Sequence, residues 1–346
     1  IFFINFPFIH LSRYHIIQYK ICLLVCEKSN PMINKIKIGI SRCLLGQPVR
    51  FDGGHKKNAY VMHLLANYFL LDGICPEVES GLPVPRPTIR LVGDALNPTL
   101  VEVLRPKIEH TERLTTFSEN KVKELDGLSG FILKSKSPTC GMERVKIYQE
   151  TPKPPLQGRG LFANALITRY PLMPIEEEGR LNDYGLRENF IERIFVYYRW
   201  QSLLKEGLTA KSLLAFHSTH KLTLLAHHQA TYRELGKELA DLKNIDMEVL
   251  AMSYISRFMS AMKTVATRKN HTNVLMHVQG YFKEHIEADD KEELTHTIEN
   301  YRLGLLPLIV PLTLLKHHLR KYPDPYLLEQ HYLFPYPEEM MLRNHI

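Results

Sequence analysis

Cysteine is scarce in this chain, and its scarcity excludes one class of proteins at the outset. The 346 residues contain five cysteines and no Cys-x-x-Cys pair. The five are Cys22, Cys26, Cys43, Cys75 and Cys140. So few and so widely separated thiols do not form the disulfide framework that stabilises small secreted domains.

Long apolar runs and phosphate-binding loops are also missing. No segment reaches the roughly 18 consecutive apolar residues that a membrane-spanning helix needs. The sequence Asp52-Gly53-Gly54 is too short for a nucleotide-phosphate loop and lacks the required strand-to-helix context. No internal repeat of about 20 to 50 residues is visible. We therefore expect a cytoplasmic protein without a membrane partner.

The length and the charge distribution favour two unlike parts. A single hydrophobic core stops growing at roughly 250 to 300 residues, so 346 residues predict two domains. The net charge of +7 lies in residues 1–180, which hold 24 Lys and Arg against 17 acids, whereas residues 181–346 hold 20 of each. This mild basic bias suits a polyanionic partner such as nucleic acid without proving one.

The first 31 residues stand apart from the rest. They begin with Ile1, and Met32 directly precedes the first strand-like run. We interpret residues 1–31 as a non-native or disordered extension, which removes Cys22 and Cys26 from the chemistry. The alternative is a signal peptide or a lipoprotein cleavage site, but Val25 stands where such a site normally has a small residue.

Strand-like and helix-like segments alternate from residue 32 onward. Strands are predicted at IKIGIS (36–41), just before Cys75, at SGFIL (129–133) and at VKIY (145–148), with helices at 57–71, 109–126 and 160–169. Alternation of this kind is typical of a parallel sheet covered on both faces. We predict an α/β, three-layer parallel-sheet domain over residues 32–175.

Long helical segments replace this alternation after the turn at 176–185. Apolar residues recur at intervals of three and four over 188–204, 213–239 and 247–269. The Pro- and Tyr-rich tail at 323–346 is expected to wrap around these helices in extended form. We predict an all-α helical domain over residues 180–346.

Three short segments of the first domain place a cysteine where a strand should give way to a loop: SRCLLG at 41–46, CPE at 75–77 and SPTCG at 137–141. Loops at the carboxyl ends of parallel strands line one crevice, so Cys43, Cys75 and Cys140 can face one point. Three thiolates leave one corner of a cubane iron–sulfur cluster open to a substrate atom. The residues alone leave two alternatives, small buried hydrophobic side chains and a zinc site.

These motifs resemble the thiouracil desulfurase family. The resemblance rests on SRCLLGQPVRFDGG at 41–54, CPEVESGLPVPR at 75–86 and KSPTCG at 136–141. HKLTLLAH, YRELGK, GYFK and YRLGLLPLIVPLTLLKHH are similar to a helical domain of unknown function that is fused to the family. Members with this fusion remove sulfur from 4-thiouridine in transfer RNA. The resemblance therefore implies an iron–sulfur-dependent desulfurase that gives uridine and sulfide, with tRNA or a thiolated pyrimidine as its partner.

The resemblance also implies roles for individual residues. Cys43, Cys75 and Cys140 would hold a [4Fe-4S] cluster, and Glu77 and Ser137 match catalytic positions. Glu79 is close enough to compete with Glu77 for its role. The alternatives from the residues themselves are that Glu77 only starts a helix and that Ser137 only caps a turn before Pro138.

Arg50, Asp52 and Arg86 lie in the loops of the same motifs and are candidate substrate-binding residues. Arginine suits two-pronged contacts to carbonyls or phosphates. Equally, Arg50 and Asp52 can pair with each other to fix their loop. Two other functions also stay open: a desulfurase of free thiouracil, and an RNA-binding or sensory protein with a structural metal site.

The helical half adds histidines and basic clusters. His217, His220, His227 and His228 lie on one predicted helix, without a nearby Cys or acid to complete a metal site. We expect them to face solvent or RNA phosphates. The basic stretch LLKHHLRKY lies beside Tyr322 and Tyr326, a combination that suits a single-stranded or flipped-out base.

Overall fold

The run IKIGIS forms strand β1, Ile36–Ser41, in a computed structural model that describes residues 36–149, 153–241 and 246–346. The predicted N-terminal extension, residues 1–31, lies outside the described residues. Strand β1 pairs on both sides within a four-stranded sheet whose other members are β2 (Phe69–Ile74), β5 (Phe131–Leu133) and β8 (Ile175–Glu177). The order is β2-β1-β5-β8, and every pairing is parallel. The predicted parallel sheet is confirmed.

Helices cover both faces of this sheet. Successive side chains of a strand point to opposite faces, and here both sets are apolar and have to be buried. Helices α3 (Thr111–Val122) and α4 (Leu161–Arg169) pack on one face, against Phe131 and Leu133. The other face carries Ile38 and Ile40 and packs against the long helix α5, Tyr184–Glu206. The α/β, three-layer arrangement followed by a helical part is therefore confirmed.

Strand β1 packs too closely against β5 to allow a side chain at Gly39. A Cβ at that position would lie 2.2 Å from the ring of Phe131. Glycine is the residue that lets backbone and ring approach this closely. Gly39 therefore leaves room for the Phe131 ring, which packs against Phe162 of α4 in the core.

A second, mixed sheet was not predicted. It contains β3 (Ile89–Gly93), β4 (Pro98–Glu102), β6 (Val145–Tyr148) and β7 (Leu156–Gly158), in the order β4-β3-β6-β7. The strand predicted at VKIY exists as β6, but its placement in the parallel sheet was wrong. Val145 and Ile147 are buried while Lys146 and Tyr148 are exposed, the alternation of a sheet with one covered face.

The helix predicted over 57–71 is shorter than expected. The structure has a π-helical turn at Val61–Leu65 and then α1 at Ala66–Tyr68, and β2 begins at Phe69. The apolar run Phe69-Leu70-Leu71 belongs to the strand. Apolar spacing in so short a run does not distinguish a helix end from a buried strand.

The first half of the chain also contains the short helix α2 (Pro76–Glu79). The second half of the chain is helical. After α5 come α6 (Ala210–His227), α7 (Gln229–Glu238), α8 (Met247–Met262), α9 (Arg268–Gln279), α10 (Ala288–Arg302), α11 (Ile309–Lys321) and α12 (Pro325–Leu328). None of the described helices is both long and apolar enough to span a membrane.

The helix predicted over 213–239 is in fact two helices. Its backbone breaks at His228, which has extended dihedrals and whose ring accepts a hydrogen bond from the amide of Thr231 at 3.2 Å. Side-chain caps also fix other helix starts: Thr209 caps α6 and Asp246 caps α8. Such caps satisfy backbone amides that have no partner within the helix.

The C-terminal tail is less extended than predicted. It contains 3-10 turns at Glu338–Met340 and Leu342–Asn344, and it turns inward. Met340 and Leu342 pack with Ile191 of α5 in the same apolar cluster as Cys43. Because this cluster draws on both predicted domains, the boundary between 175 and 180 stays a prediction.

Candidate active site

The three candidate ligand cysteines lie at the carboxyl ends of three neighbouring parallel strands. Cys43 sits in the 3-10 turn Arg42–Leu45 after β1, Cys75 follows β2 directly, and Cys140 lies in the loop between β5 and the second sheet. All three are buried, free of disulfides, and line one cavity of about 380 Å³. The structure therefore brings together the three thiols that the sequence singled out.

Burial dominates the chemistry of these thiols. Burial and the neighbouring charge of Cys75 raise the pKa of Cys43 to about 11, although Lys134 acts in the opposite direction. Burial also raises the pKa of Cys75 and that of Cys140, and the latter thiol feels the charges of both other cysteines. Three thiolates here would be unstable without a positive partner. Within the described ranges, no three His, Cys, Asp or Glu side chains are grouped as ligands of a single metal ion.

Glu77 faces the same cavity from the first turn of α2. Its Oε2 atom accepts two hydrogen bonds from Arg86, one of them from Nε at 2.9 Å. Its Oε1 atom accepts a hydrogen bond from the Thr139 hydroxyl at 2.8 Å. Arg86 also donates to the carbonyl of Val49 at 3.0 Å. The guanidinium of Arg86 thus holds Glu77, in addition to lining the cavity as a candidate substrate-binding residue.

Glu79, the neighbouring acid, has a different environment. Its Oε1 atom accepts hydrogen bonds from the backbone amide of Cys75 at 2.9 Å and from Arg42 at 2.6 Å. Arg42 in turn donates to the carbonyl of Gly73 at 3.0 Å. Glu79 therefore fixes the backbone at Cys75, and it is Glu77 that lines the cavity.

Ser137 caps the loop that carries Cys140. Its Oγ atom accepts hydrogen bonds from the amides of Thr139 at 3.2 Å and Cys140 at 3.1 Å. It also lies 3.0 Å from the hydroxyl of Thr139. The turn-capping interpretation of Ser137 is consistent with these bonds, and the side chain lines the cavity as well.

Basic side chains surround the cavity. Arg50, Lys56, Lys134 and Lys136 all line it. Lys134 forms an ion pair with Glu178, whose other oxygen accepts a hydrogen bond from the amide of Ser135 at 2.7 Å. Sequence reasoning did not identify these lysines, although KSKSPTCG shows two of them within a few residues of Cys140.

Asp52 has a loop-fixing role in the structure. Its Oδ1 atom accepts a hydrogen bond from the amide of Gly54 at 3.0 Å, and its Oδ2 atom lies 3.9 Å from Arg50 Nη1. Asp52 is not among the residues that line the cavity, whereas Arg50 is. This geometry matches the alternative in which the two residues pair with each other.

Of the four histidines predicted to face solvent or RNA phosphates, His228 alone is exposed. His217, His220 and His227 are buried. His227 donates from Nε2 to Glu192 at 2.8 Å and from Nδ1 to the carbonyl of Thr264 at 2.6 Å. The prediction of solvent-facing histidines was wrong for these three, because helix α6 lies inside the bundle and needs polar partners there.

The two tyrosines expected to bind a base are already packed against other rings. Tyr322 stacks on His285 with ring centroids 5.7 Å apart, and Tyr326 stacks on Tyr281 at 5.6 Å. Both tyrosines also pack against the core of the helical half. These contacts give the two aromatic side chains a structural role.

Two family models match different parts of the chain. Residues 38–178 match the family model of 2-thiouracil desulfurase, and residues 221–337 match DUF1722, a protein family of unknown function. The uncharacterised protein YbgA of Escherichia coli (strain K12) is 40% identical over 136 residues, which are 39% of this chain and 80% of that protein. The solved structure of the [4Fe-4S]-dependent thiouracil desulfidase TudS is 30% identical, with 43% of this chain and 94% of that chain covered at a TM-score of 0.36.

Proposed function

This chain belongs to the 2-thiouracil desulfurase family and joins a DUF1722 domain to it, and from that premise we propose that it removes sulfur from a thiolated pyrimidine. One observation carries the proposal. Three buried free thiols, from the ends of three neighbouring strands, line a cavity that also contains the carboxylate of Glu77. Metal-binding thiols beside a carboxylate provide for both sulfur capture and water activation.

The cysteines fit a [4Fe-4S] cluster as its protein ligands. Thiolates are the ligands such clusters take, and Cys43, Cys75 and Cys140 have no competing disulfide. Their raised pKa values are those of thiols that a positive metal centre would deprotonate on binding. When bound, the cluster would supply an iron without a protein ligand, to which a soft thiocarbonyl sulfur can bind.

Glu77 is the proposed general base. Arg86 and Thr139 fix its carboxylate at the cavity wall, where it can orient a water molecule and accept its proton. The water oxygen bonds to the ring carbon, the carbon–sulfur bond breaks, and sulfur leaves as sulfide with the protons of the water. The products are a uracil-type ring and hydrogen sulfide, without net oxidation or reduction. Ser137, which lines the same cavity, would hold the substrate ring or pass on a proton.

We further propose that the substrate is 4-thiouridine in tRNA. The basic residues lining the cavity, Arg50, Lys56 and Lys136, suit a base that is attached to a phosphate backbone. A base in folded RNA must leave its stack to enter a cavity of this kind. The helical half would then hold the RNA while the flipped base reaches the thiols.

Free thiouracil is the second candidate, and the description of the matching family supports it directly. It requires no contact to phosphate. A third candidate is an RNA-binding or sensory protein with a structural metal site. That candidate gives Glu77 no chemical task, although Glu77 is held at the cavity wall by Arg86 and Thr139.

Shortening the chain is a poor way to choose between the two substrates. Residues 32–150 alone would lack β8, which pairs with β5, and α5, which covers Ile38 and Ile40. The parallel sheet would be left with an exposed apolar face. Loss of activity in such a fragment would report unfolding and not substrate choice.

The test therefore uses the full chain. The protein is purified without oxygen, its iron and sulfide are quantified, and it is incubated with thiolated tRNA or with free 4-thiouracil. Loss of the near-ultraviolet thiouridine absorbance, with sulfide released in equal amount, is the expected result. A fully loaded protein that leaves the tRNA unchanged but converts 4-thiouracil would exclude the RNA substrate. Conversion of neither of these, nor of 2-thiouracil assayed in the same way, would exclude the desulfurase proposal.

A further inference from the structure

Thr139 connects the two candidate catalytic residues. Its side chain is fully buried, its hydroxyl donates to Glu77 Oε1 at 2.8 Å, and the same hydroxyl oxygen lies 3.0 Å from Ser137 Oγ. Among the described residues, no other side chain is hydrogen-bonded to both Ser137 Oγ and Glu77.

The directions of these hydrogen bonds follow from counting protons. A hydroxyl group has one proton to donate, and a carboxylate can only accept. Thr139 Oγ1 also lies 3.7 Å from Cys140 Sγ, but a hydrogen bond to a carboxylate at 2.8 Å is much the stronger of the two, so the Thr139 proton points to Glu77. Ser137 Oγ already accepts from the amides of Thr139 and Cys140, so its own proton points to Thr139 Oγ1. The chain of donors therefore runs from Ser137 through Thr139 to Glu77.

We propose that Thr139 is a positioning residue that holds the Glu77 carboxylate and the Ser137 hydroxyl in their working orientations. This inference rests on the proposed function, because it assumes that these two groups act on the substrate. Arg86 restrains Oε2 of Glu77, and Thr139 restrains Oε1. Without the threonine hydroxyl the carboxylate is held on one side only, and the Ser137 proton loses its acceptor.

The backbone around Thr139 is fixed by contacts that do not use its hydroxyl. Its carbonyl accepts a hydrogen bond from the amide of Ala163 at 3.1 Å, and the carbonyl of Gly141 accepts one from Gly160 at 2.8 Å. A Cβ at Gly160 would lie 2.5 Å from the Thr139 carbonyl carbon, so helix α4 begins in direct contact with this loop. Removing only the hydroxyl should leave the loop and Cys140 in place.

The experiment compares Thr139→Val, which keeps the shape and removes the hydroxyl, with Thr139→Ser, which keeps the hydroxyl. Both variants and the unmodified chain are purified without oxygen and assayed for iron, kcat and KM on whichever of thiolated tRNA and 4-thiouracil the unmodified chain converts. Thr139→Val should keep its iron and its KM within about twofold and lose roughly tenfold to hundredfold in kcat. Thr139→Ser should recover most of that loss.

Two results would overturn the inference. One is an iron-loaded Thr139→Val chain with unchanged kcat, and the other is an equal loss in Thr139→Ser, which would assign the effect to packing. A crystal structure of Thr139→Val gives a readout that needs no turnover: the Glu77 carboxylate should rotate away from its present position, and an unmoved carboxylate would count against the inference. An inactive but iron-loaded unmodified chain contradicts the proposed function instead, and the rotation then still decides the role of Thr139.

Discussion

Arg343 Nε lies 3.1 Å from Glu188 Oε1 in the interior of the protein, where the tail meets helix α5. The same guanidinium reaches Glu192 Oε1 at 3.2 Å from Nη2, and all three side chains are almost completely buried. An intact buried ion pair adds little to the free energy of unfolding, because the cost of desolvating the two charges offsets most of their attraction. Removing one partner is costly, since the remaining charge is then buried alone.

Arg343→Met should accordingly destabilise the protein by about 3 to 5 kcal/mol, because two carboxylates lose their cation. The measurement is the free energy of unfolding in denaturant, monitored by circular dichroism. Arg320→Met is the matched control, since Arg320 is exposed on the nearby helix α11 and should change stability by less than about 0.5 kcal/mol. Equal effects of the two substitutions would show that the buried cluster is not a stabilising contact.

Substituting any of the three cavity cysteines should abolish stable iron binding. Cys43→Ala, Cys75→Ala and Cys140→Ala each remove one of the thiols that line the cavity, and a cluster left with two protein ligands should be lost. The measurement is the iron and acid-labile sulfide content after anaerobic reconstitution. Cys26→Ala serves as the control and should load normally. Full loading of any one cavity variant removes that cysteine from the ligand set.

Replacing Glu77 by Gln and replacing Glu79 by Gln should have different effects on iron content and on kcat. Glu77→Gln is expected to keep its iron and to lose activity by roughly 10² to 10⁴, since it removes the proposed general base. Glu79→Gln weakens the contacts of Arg42 and of the Cys75 amide, so it should lower iron retention first. Iron content and kcat, measured on the same samples, separate the two. The assignment is reversed if Glu79→Gln keeps its iron while losing kcat.

The basic residues at the cavity should matter for RNA and not for a free base. Lys136→Ala should raise KM for thiolated tRNA and reduce the slope of log affinity against log salt by about 1, while 4-thiouracil turnover stays unchanged. Lys146→Ala is the control, because Lys146 is exposed on β6 outside the cavity lining. An unchanged salt slope in Lys136→Ala would argue against contact between this lysine and phosphate.

His227 should make stability depend on pH. Burial lowers its pKa, but the hydrogen bond and charge of Glu192 more than compensate and leave the pKa above its usual 6.5. The charge of Glu188 also raises the pKa of His227, whereas burial and the charges of Arg343 and His227 lower the pKa of the neighbouring His271. A raised folded-state pKa contributes stability that is complete below 6.5 and is lost as pH rises through the folded-state value.

The stability difference between the unmodified chain and His227→Gln should therefore be largest at mildly acidic pH and shrink as the pH rises above about 6.5. Denaturant unfolding of both chains between about pH 5 and 9 measures it. The control His63→Gln removes an exposed histidine and should show no such trend. A difference that grows with pH would mean that His227 is buried in its neutral form.

The sequence predicted what local patterns determine. Strand β6 and helix α4 lie where their apolar spacing placed them, and the loops after parallel strands brought Cys43, Cys75 and Cys140 to one cavity. The features that could not be predicted depend on contacts between residues that are far apart in the sequence. Strands β3 and β4 pair with each other, but their sheet is completed by β6 and β7, which come much later in the chain.

The polar contacts of the site were unpredictable for the same reason. Thr139 and Glu77 are 62 residues apart, and only the folded sheet shows that they share a hydrogen bond. The buried histidines of α6 likewise find their partners on other helices, such as Glu192 for His227. A helical pattern shows which residues share a face but not what that face meets.

The apolar cluster that contains Cys43 and Leu44 is closed by Met340 and Leu342, residues that are synthesised long after the sheet they cover. During translation, the part of this apolar cluster that Met340 and Leu342 cover therefore stays exposed after α5 has packed on the sheet, a condition that favours aggregation or chaperone binding.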